Sequence, residues 1–167
     1  MLKNSFFLAS LILVFFITSC DDKRVFDEYK TVSGKWKHHD VVSFTFKAPD
    51  TLKTYNLYIN LRNNNDYKFS NLYLIVEMNY PHGKTIKDTL NYKMAKPDGS
   101  FLGTGFTDVK ENKLWYKGHN KSFVFEENGA YIVNIQQAMR KNGEVEGIDE
   151  LEGITEVGFR VEPAIMD

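Results

Sequence analysis

A period of two in the placement of apolar side chains runs through most of the chain after residue 41. In residues 42–46 large apolar groups alternate with hydroxyl side chains, and in residues 55–62 Tyr, Leu and Ile hold every second position. Successive side chains of a β-strand point to opposite faces, so this period predicts strands with one buried face. Because a helical period is almost nowhere visible, the chain is expected to fold mainly into packed β-sheets.

Further short segments with strand character occur at regular spacing. They are residues 72–80, 85–94, 113–117, 121–125, 130–135 and 154–162. The first of these is apolar on both faces over most of its length, which predicts a central strand. Turn residues at 63–66 and 97–99 separate the strands, and residues 136–140 contain helix formers for which one helical turn is expected. The pattern predicts an all-β fold, an antiparallel β-sandwich of jelly-roll or immunoglobulin-like type.

The start of the chain has the layout of a bacterial lipoprotein signal peptide. Lys3 precedes an apolar run at residues 6–17, and the run ends in Thr18, Ser19 and Cys20 within the sequence VFFITSCDD. The run is shorter than the roughly 20 apolar residues that a spanning helix needs. We therefore predict a cleaved signal peptide at 1–19 and a lipid on the Cys20 sulfur. Ile17 stands where leucine is usual, and an uncleaved anchor or a secreted protein with an incidental cysteine are the alternatives.

Length, charge and cysteine content restrict the fold and the partners of the chain after Cys20. We predict a lipid-anchored tether at residues 20–35 and a single sandwich domain at 36–167. The chain has 21 basic and 22 acidic residues, and loss of Lys3 takes the formal charge from −1 to about −2, so no nucleic-acid partner is expected. With one cysteine the chain cannot form an internal disulfide, and stability must come from its hydrophobic core.

No segment predicts a catalytic, metal or cofactor site. His38 and His39 are adjacent, so on a strand they would point to opposite faces rather than grip one metal ion. Residues 99–105 are glycine-rich but lack the Gly-Lys-Ser/Thr ending of a phosphate loop, and residues 144–152 form an acidic loop without EF-hand spacing. Neither a G-x-S-x-G elbow nor an H-E-x-x-H motif occurs. An enzyme is therefore not expected, no cofactor is expected, and the predicted covalent lipid on Cys20 is the one attached group that we expect.

The segment KLWYK at residues 113–117 is the candidate for recognition. On a strand Trp115 shares a face with Lys113 and Lys117, whereas Leu114 and Tyr116 take the other face. Either Tyr116 packs inside and Trp115 lies on a polar surface, or Trp115 is itself a core residue. An exposed Trp beside cations could stack on a sugar or anchor a protein partner.

Several segments resemble the gliding-motility lipoprotein GldH family of Bacteroidetes. They are YNLYINLRNN at 55–64, residues 67 and 69–72, residues 97–99 with 102–103, KLWYK at 113–117, QAMR at 137–140 and GITEVGFRVE at 153–162. These segments span nearly the whole chain after the signal peptide, in order. The resemblance implies a non-enzymatic envelope lipoprotein, needed for a motility machinery whose core is shared with the type IX secretion system. It also implies the outer membrane and supplies no catalytic residues.

These observations lead to an adaptor hypothesis. Acyl chains on Cys20 hold the chain at a membrane, and the sandwich offers a polar and aromatic face to other envelope lipoproteins of the motility and secretion apparatus. We expect Tyr58, Asn60, Arg62 and Trp115 to belong to that face. The alternative is a module on the same scaffold that binds peptidoglycan or polysaccharide, with Trp115 or Tyr58 as the stacking platform.

Overall fold

The structure is a computed structural model that describes residues 24–164. Ten strands and no helix occur in this range. They are β1 (Phe26–Thr31), β2 (Lys35–Lys37), β3 (Val42–Lys47), β4 (Tyr55–Asn63), β5 (Asn71–Asn79), β6 (Thr85–Lys93), β7 (Lys110–Lys117), β8 (Ala130–Gln137), β9 (Glu150–Glu152) and β10 (Ile154–Pro163). The prediction of an all-β antiparallel sandwich is confirmed. The predicted signal peptide and Cys20 lie outside the described residues.

Two four-stranded sheets pack face to face. The front sheet has the strand order β1-β10-β4-β7, the back sheet has the order β3-β8-β5-β6, and the short strands β2 and β9 form a separate pair. All neighbours are antiparallel. Within the two large sheets only β5 and β6 are consecutive in the chain, so the other connections pass from one sheet to the other. Two four-stranded antiparallel sheets linked in this way form a jelly roll.

The core lies between the two sheets and is rich in aromatic rings. Phe159 of the front sheet stacks on Phe44 and Phe46 of the back sheet, with ring centroids 6.1 and 5.6 Å apart. Trp36 of β2 is fully buried, and its indole Nε1 donates to the Asp40 carbonyl at 2.8 Å. Burying such rings is the main favourable term for a domain that has no disulfide.

Most of the predicted strands are confirmed, and the exceptions have local causes. The segment predicted to be central is β5, which lies between β8 and β6. Residues 121–125 do not form a strand apart from one bridge between Phe123 and Tyr55. The prediction of a helical turn at 136–140 is wrong, because β8 continues through Gln137. The buried side chain of Gln137 donates to the Ile148 carbonyl at 2.7 Å. Partners outside the segment thus override its helix propensity.

The predicted tether at residues 20–35 is wrong over much of its length. Strand β1 covers Phe26–Thr31 and pairs with β10 along all six residues. The Phe26 ring lies 5.1 Å from Phe46, which ties the strand to the back sheet. A single apolar ring in a charged segment is a weak sequence signal for a strand. At a sheet edge, however, one such ring on the inner face can hold the strand against the core. Any tether is thereby restricted to the residues before β1.

Candidate functional site

The structure brings the four predicted site residues onto the outer face of the front sheet. Strand β4 supplies Tyr58, Asn60 and Arg62, and β7 lies beside it with Trp115 directly opposite Tyr58. The two rings are 4.4 Å apart between centroids. Leu114 and Tyr116 point to the core, so Trp115 lies on the polar surface as the first alternative predicted. Alternation of side chains therefore placed these residues correctly on one face.

Two of the four residues are nevertheless buried on that face. Asn60 is 1% exposed and Tyr58 is 6% exposed. Over Asn60 the cover includes Tyr29, whose side chain extends from the edge strand β1 across the sheet until its hydroxyl donates to Glu111 Oε1 on β7 at 2.6 Å. Over Tyr58 it comes from the Trp115 ring and from the Lys113 ammonium, which lies 4.0 Å from the Tyr58 centroid. Within residues 24–164 both side chains are therefore covered by their neighbours, and their contact with a partner stays a prediction.

Gly158 of β10 makes this crossing sterically possible. It is paired with Tyr29 on one side and with Asn60 on the other. A Cβ at this position would lie 2.9 Å from Tyr29 Cδ1 and 3.0 Å from the Glu28 carbonyl oxygen. Both distances are shorter than normal carbon contacts, so the missing side chain leaves the space that the Tyr29 ring occupies.

Charged side chains complete the cover in two groups, which together with Tyr29 we call the polar network. In the first group Arg160 bonds to Asp27 at 2.6 Å and to Glu162 at 3.3 Å, and Lys113 bonds to Glu162 at 2.8 Å. The second group joins Arg62 to Glu156 and to Glu111. The charges alternate in sign across the strands, so the outer face is closed by side chains of its own sheet.

The electrostatics of the network follow from this geometry. The hydrogen bond that Arg160 donates to Asp27 raises the pKa of Arg160, and the one that Arg62 donates to Glu156 raises the pKa of Arg62. Burial, together with the bond to Glu111, raises the pKa of the Tyr29 hydroxyl. The Arg62 guanidinium also lies over the Tyr29 ring, 4.5 Å from its centroid. Arginines and a tyrosine so engaged are held in place rather than available to a partner.

Exposed aromatic surface remains at the β7 edge of this face. Trp115 is 38% exposed, and the His119 ring lies 4.7 Å from it between centroids. The phenol of Tyr92, on β6 of the back sheet, donates to the Trp115 carbonyl at 2.7 Å. That bond caps an edge group of β7 and ties the open edges of the two sheets together.

A cleft of about 610 Å³ opens beside Trp115, where the edges of β6 and β7 face each other. Its walls combine aromatic and apolar side chains with cations. The lining includes Tyr80, Lys84, Ile86, Trp115, Tyr116, Lys117, His119, Lys121, Phe123 and Val124. Asp88 accepts hydrogen bonds from Tyr116 at 3.0 Å and from Lys117 at 2.8 Å, and Lys84 pairs with Glu126 at 2.9 Å. Lys121 makes no ion pair within residues 24–164.

The other sequence features lie apart from this cleft. The His38 and His39 rings are 5.2 Å apart near the β2–β9 pair. Within residues 24–164 no group of three or more His, Cys, Asp or Glu side chains is placed to hold a metal ion. Residues 97–99 form the predicted turn, closed by the Gly99 N–H bond to the Lys96 carbonyl at 3.0 Å.

Sequence reasoning missed the residues that cover the predicted face. Asp27 and Tyr29 fall in the predicted tether, although they alternate as strand residues do. The segment correctly predicted as a strand at 154–162 carries Glu156, Arg160 and Glu162 on one side, with Gly158 between them. A glycine inside a strand often marks a place where another group approaches the backbone closely, and here that group is the Tyr29 ring. The cleft could not be found from sequence because two separate segments, residues 80–86 and 115–126, form it.

The fold and this surface define a class of protein: a small jelly-roll domain whose exposed features are an aromatic edge and an adjoining cleft. Residues 24–161 match the family model described as GldH lipoprotein. The chain therefore belongs to the GldH lipoprotein family, as the resemblance implied.

Two relatives cover nearly the whole chain. It is 56% identical over 156 residues to a protein of Christiangramia forsetii named gliding motility lipoprotein GldH homolog, covering 93% of this chain and 92% of that protein. It is 51% identical over 162 residues to the gliding motility lipoprotein GldH of Flavobacterium johnsoniae, covering 96% and 97%. Membership of a lipoprotein family means attachment to a membrane of the cell envelope.

Similarity to solved structures is distant. A family GH115 4-O-methyl-alpha-glucuronidase matches with a TM-score of 0.44 and 12% identity, over 88% of this chain and 18% of that chain. Similarity at this level carries no functional argument. Among the residues described here, no helix has the length and apolar character required to cross a membrane.

Proposed function

We propose that this protein is a lipid-anchored, non-enzymatic adaptor of the gliding-motility machinery and of the type IX secretion system that shares its core. The names of the two relatives support the motility role. The proposed location is the outer membrane, with Cys20 as the lipidated residue and palmitate among its acyl chains. The proposed partners are other envelope lipoproteins of the same apparatus.

Anchoring on a membrane allows an adaptor with a low-affinity interface to bind its partner. One acyl chain binds a bilayer only marginally, whereas several chains together anchor a protein stably. When adaptor and partner are held on one membrane, their effective concentration rises and a weaker contact suffices. Cys20 is the only cysteine of the chain, so the proposed acylation would leave it without a free thiol.

The observation that carries the adaptor proposal is the exposed Trp115 edge beside the cleft. The polar network engages the charged groups on the rest of the outer face, so a partner gains little there without breaking bonds. At the edge, Trp115, His119 and Lys121 are exposed next to the apolar walls formed by Phe123 and Val124. Aromatic side chains in such positions dominate the energetics of protein interfaces.

Complementation of a deletion strain tests this proposal. The gene would be deleted in its own host, and colony spreading and secreted protein would be scored after return of wild type, Cys20→Ala, Trp115→Ala or Tyr73→Ala. Tyr73 is 39% exposed on the outer face of the back sheet and matches Trp115 in exposure. We expect wild type and Tyr73→Ala to restore both phenotypes, Cys20→Ala to fail and Trp115→Ala to be impaired.

Two results would contradict parts of the proposal. If the deletion strain of a gliding host spreads and secretes normally, the motility and secretion role is wrong. If Trp115→Ala restores both phenotypes as fully as Tyr73→Ala does, the partner does not use this edge. Equal amounts of each variant in the envelope, measured by immunoblot, would show that a defect is not a loss of protein.

Glycan binding is the second candidate, and the same edge motivates it. An exposed Trp ring next to a polar cleft is a common way to hold a sugar, and the cleft has room for one. The rings of Tyr58 and His119 already lie within 5 Å of Trp115, which reduces the surface left for stacking. Sedimentation with insoluble peptidoglycan would separate the candidates, because binding that Trp115→Ala abolishes and Tyr73→Ala preserves favours the glycan.

A further inference from the structure

The two ends of the sandwich differ in their relation to the start of the chain. Strand β1 begins at Phe26, beside the end of β3, and Val25 N–H bonds to the Val161 carbonyl at 3.0 Å. We call this the near end, and it is formed by loops 48–54, 80–84 and 118–129. At the far end lie loops 64–70, 94–109 and 138–149. Bridges such as Tyr55 with Phe123 and the bond from Ala164 N–H to the Thr54 carbonyl join the near-end segments.

Chain length restricts how far the near end can lie from a lipid on Cys20. Five residues lie between Cys20 and Phe26, and the six steps from one Cα to the other span at most about 20 Å in a fully extended chain. The nine residues of β4 run about 30 Å from one end of the sandwich toward the other. The short linker joins the domain at the near end, so the near end is the one held next to the membrane surface.

From this geometry we infer that the near end rests on the lipid bilayer, with Leu52 inserted at the level of the headgroups. The inference rests on the acylation of Cys20 proposed above. Leu52 is 92% exposed at the tip of loop 48–54. Asp50 fixes the tip by accepting a hydrogen bond from Leu52 N–H at 2.9 Å, so the apolar side chain is presented outward by an ordered turn.

Neighbouring groups suit an interfacial position. Lys53 comes directly after Leu52, and its long stem can lie along acyl chains while its ammonium stays at the headgroups. Lys47 is exposed at the same end and makes no ion pair within the described range, so its ammonium can bind a lipid phosphate. Acidic residues also occur here, as Glu126 and Glu127. The inference thus depends on distance and on Leu52, and a zwitterionic bilayer is the appropriate partner.

The far end provides a matched control for Leu52. Phe106 in loop 94–109 is fully exposed, as Leu52 nearly is. The side chain of Asn65 donates to Asp108 at 3.1 Å, which fixes this loop to the end of β4 away from Phe26. A probe at Phe106 therefore reports the same degree of exposure at the opposite end of the molecule.

Site-specific fluorescence in vesicles tests the inference. Mature acylated Leu52→Cys and Phe106→Cys proteins, beginning at Cys20, would be labelled with an environment-sensitive dye and reconstituted into phosphatidylcholine vesicles with nitroxide-labelled headgroups. Cys20 is the only native cysteine, and its acylated sulfur does not react, so each variant has one thiol. We expect a blue shift and severalfold stronger quenching at position 52 than at position 106. Flotation of the vesicles reports anchoring separately.

The outcomes separate the inference from the proposed function. If the protein floats with the vesicles but the two positions are quenched equally, or position 106 is quenched more, the anchor holds and the orientation is wrong. If the labelled proteins do not float, both the acyl anchor and the orientation are overturned. Stronger quenching at position 52 in floating protein supports both.

Discussion

The two faces of the front sheet are both covered, but by different chemistry. On the inner face, side chains such as Phe159 pack against the back sheet and depend on it. On the outer face, Arg160, the next residue in the chain, belongs to a polar network that the front sheet forms alone. A sheet with one free face thus need not present that face to a partner, because long polar side chains from neighbouring strands can close it.

Truncating a core side chain on the inner face should lower the free energy of unfolding the most. Phe159 is fully buried, and rings of Phe26, Phe44, Phe46 and Tyr116 surround it within 6.4 Å. Phe159→Ala is expected to lower the free energy of unfolding by about 3–5 kcal/mol, because it removes apolar contact and leaves a cavity. Denaturant unfolding followed by tryptophan fluorescence, to which buried Trp36 and half-buried Trp115 both contribute, measures the loss. A loss below about 1 kcal/mol would mean that the sheets are not packed through this ring.

Removing the least exposed ion pair of the outer face should cause the next largest loss of unfolding free energy. Arg160 and Asp27 are only 14% and 13% exposed in their side chains. Arg160→Ala removes the closest cation of Asp27, which keeps the more exposed Arg24 at 3.1 Å, and it also breaks the pair with Glu162. We expect a cost of about 2–3 kcal/mol, because carboxylates shielded from water then lose most of their pairing. The same unfolding measurement applies.

A double-mutant cycle sharpens this result. Asp27→Ala combined with Arg160→Ala removes both charges, so the double variant should lose less than the sum of the two single losses. Additive losses would show that the two residues act independently and that the outer face is not closed by this pair.

The crossing tyrosine should have a smaller effect that depends on pH. Tyr29→Phe removes the bond to Glu111 and is expected to cost about 1–2 kcal/mol at neutral pH. Because burial and Glu111 raise the pKa of Tyr29 above its ordinary value of about 10, the unfolded chain loses this proton first as the pH rises. Its stabilising contribution is complete below pH about 10 and is lost above it.

The measurement is the slope of unfolding free energy against pH above 10. Tyr29→Phe should make the slope shallower, and Glu111→Gln should do so in part. The slope should not vanish, because burial also raises the pKa of Tyr67 and Tyr116. An unchanged slope in Tyr29→Phe would show that its hydroxyl is not held in the protonated state.

The contrast between the faces also explains which predictions from sequence succeeded. Alternation identified the strands and the side of each residue, because the inner face depends on apolar side chains that sequence displays directly. It could not show that Asn60 is buried, since a polar residue is predicted to be exposed unless the side chains that cover it are known. That cover comes from Tyr29, 31 positions earlier in the chain, and from the register of β1 on β10. Long-range pairing of this kind is set by the whole fold rather than by a local pattern.

The smallest loss of unfolding free energy is expected from a substitution at the solvent-exposed edge of the outer face. Lys113 is 41% exposed in its side chain, bonds to Glu162 at 2.8 Å and lies over the Tyr58 ring, 4.0 Å from its centroid. Exposed pairs contribute little, so Lys113→Ala is expected to cost about 0.5 kcal/mol. Added salt shortens the screening length to about 3 Å at 1 M and should remove most of that difference.

The Arg160→Ala loss should persist in salt because its partner is shielded from water. If both losses respond equally to salt, the outer face is uniformly solvated, and the distinction between a closed network and its exposed edge fails.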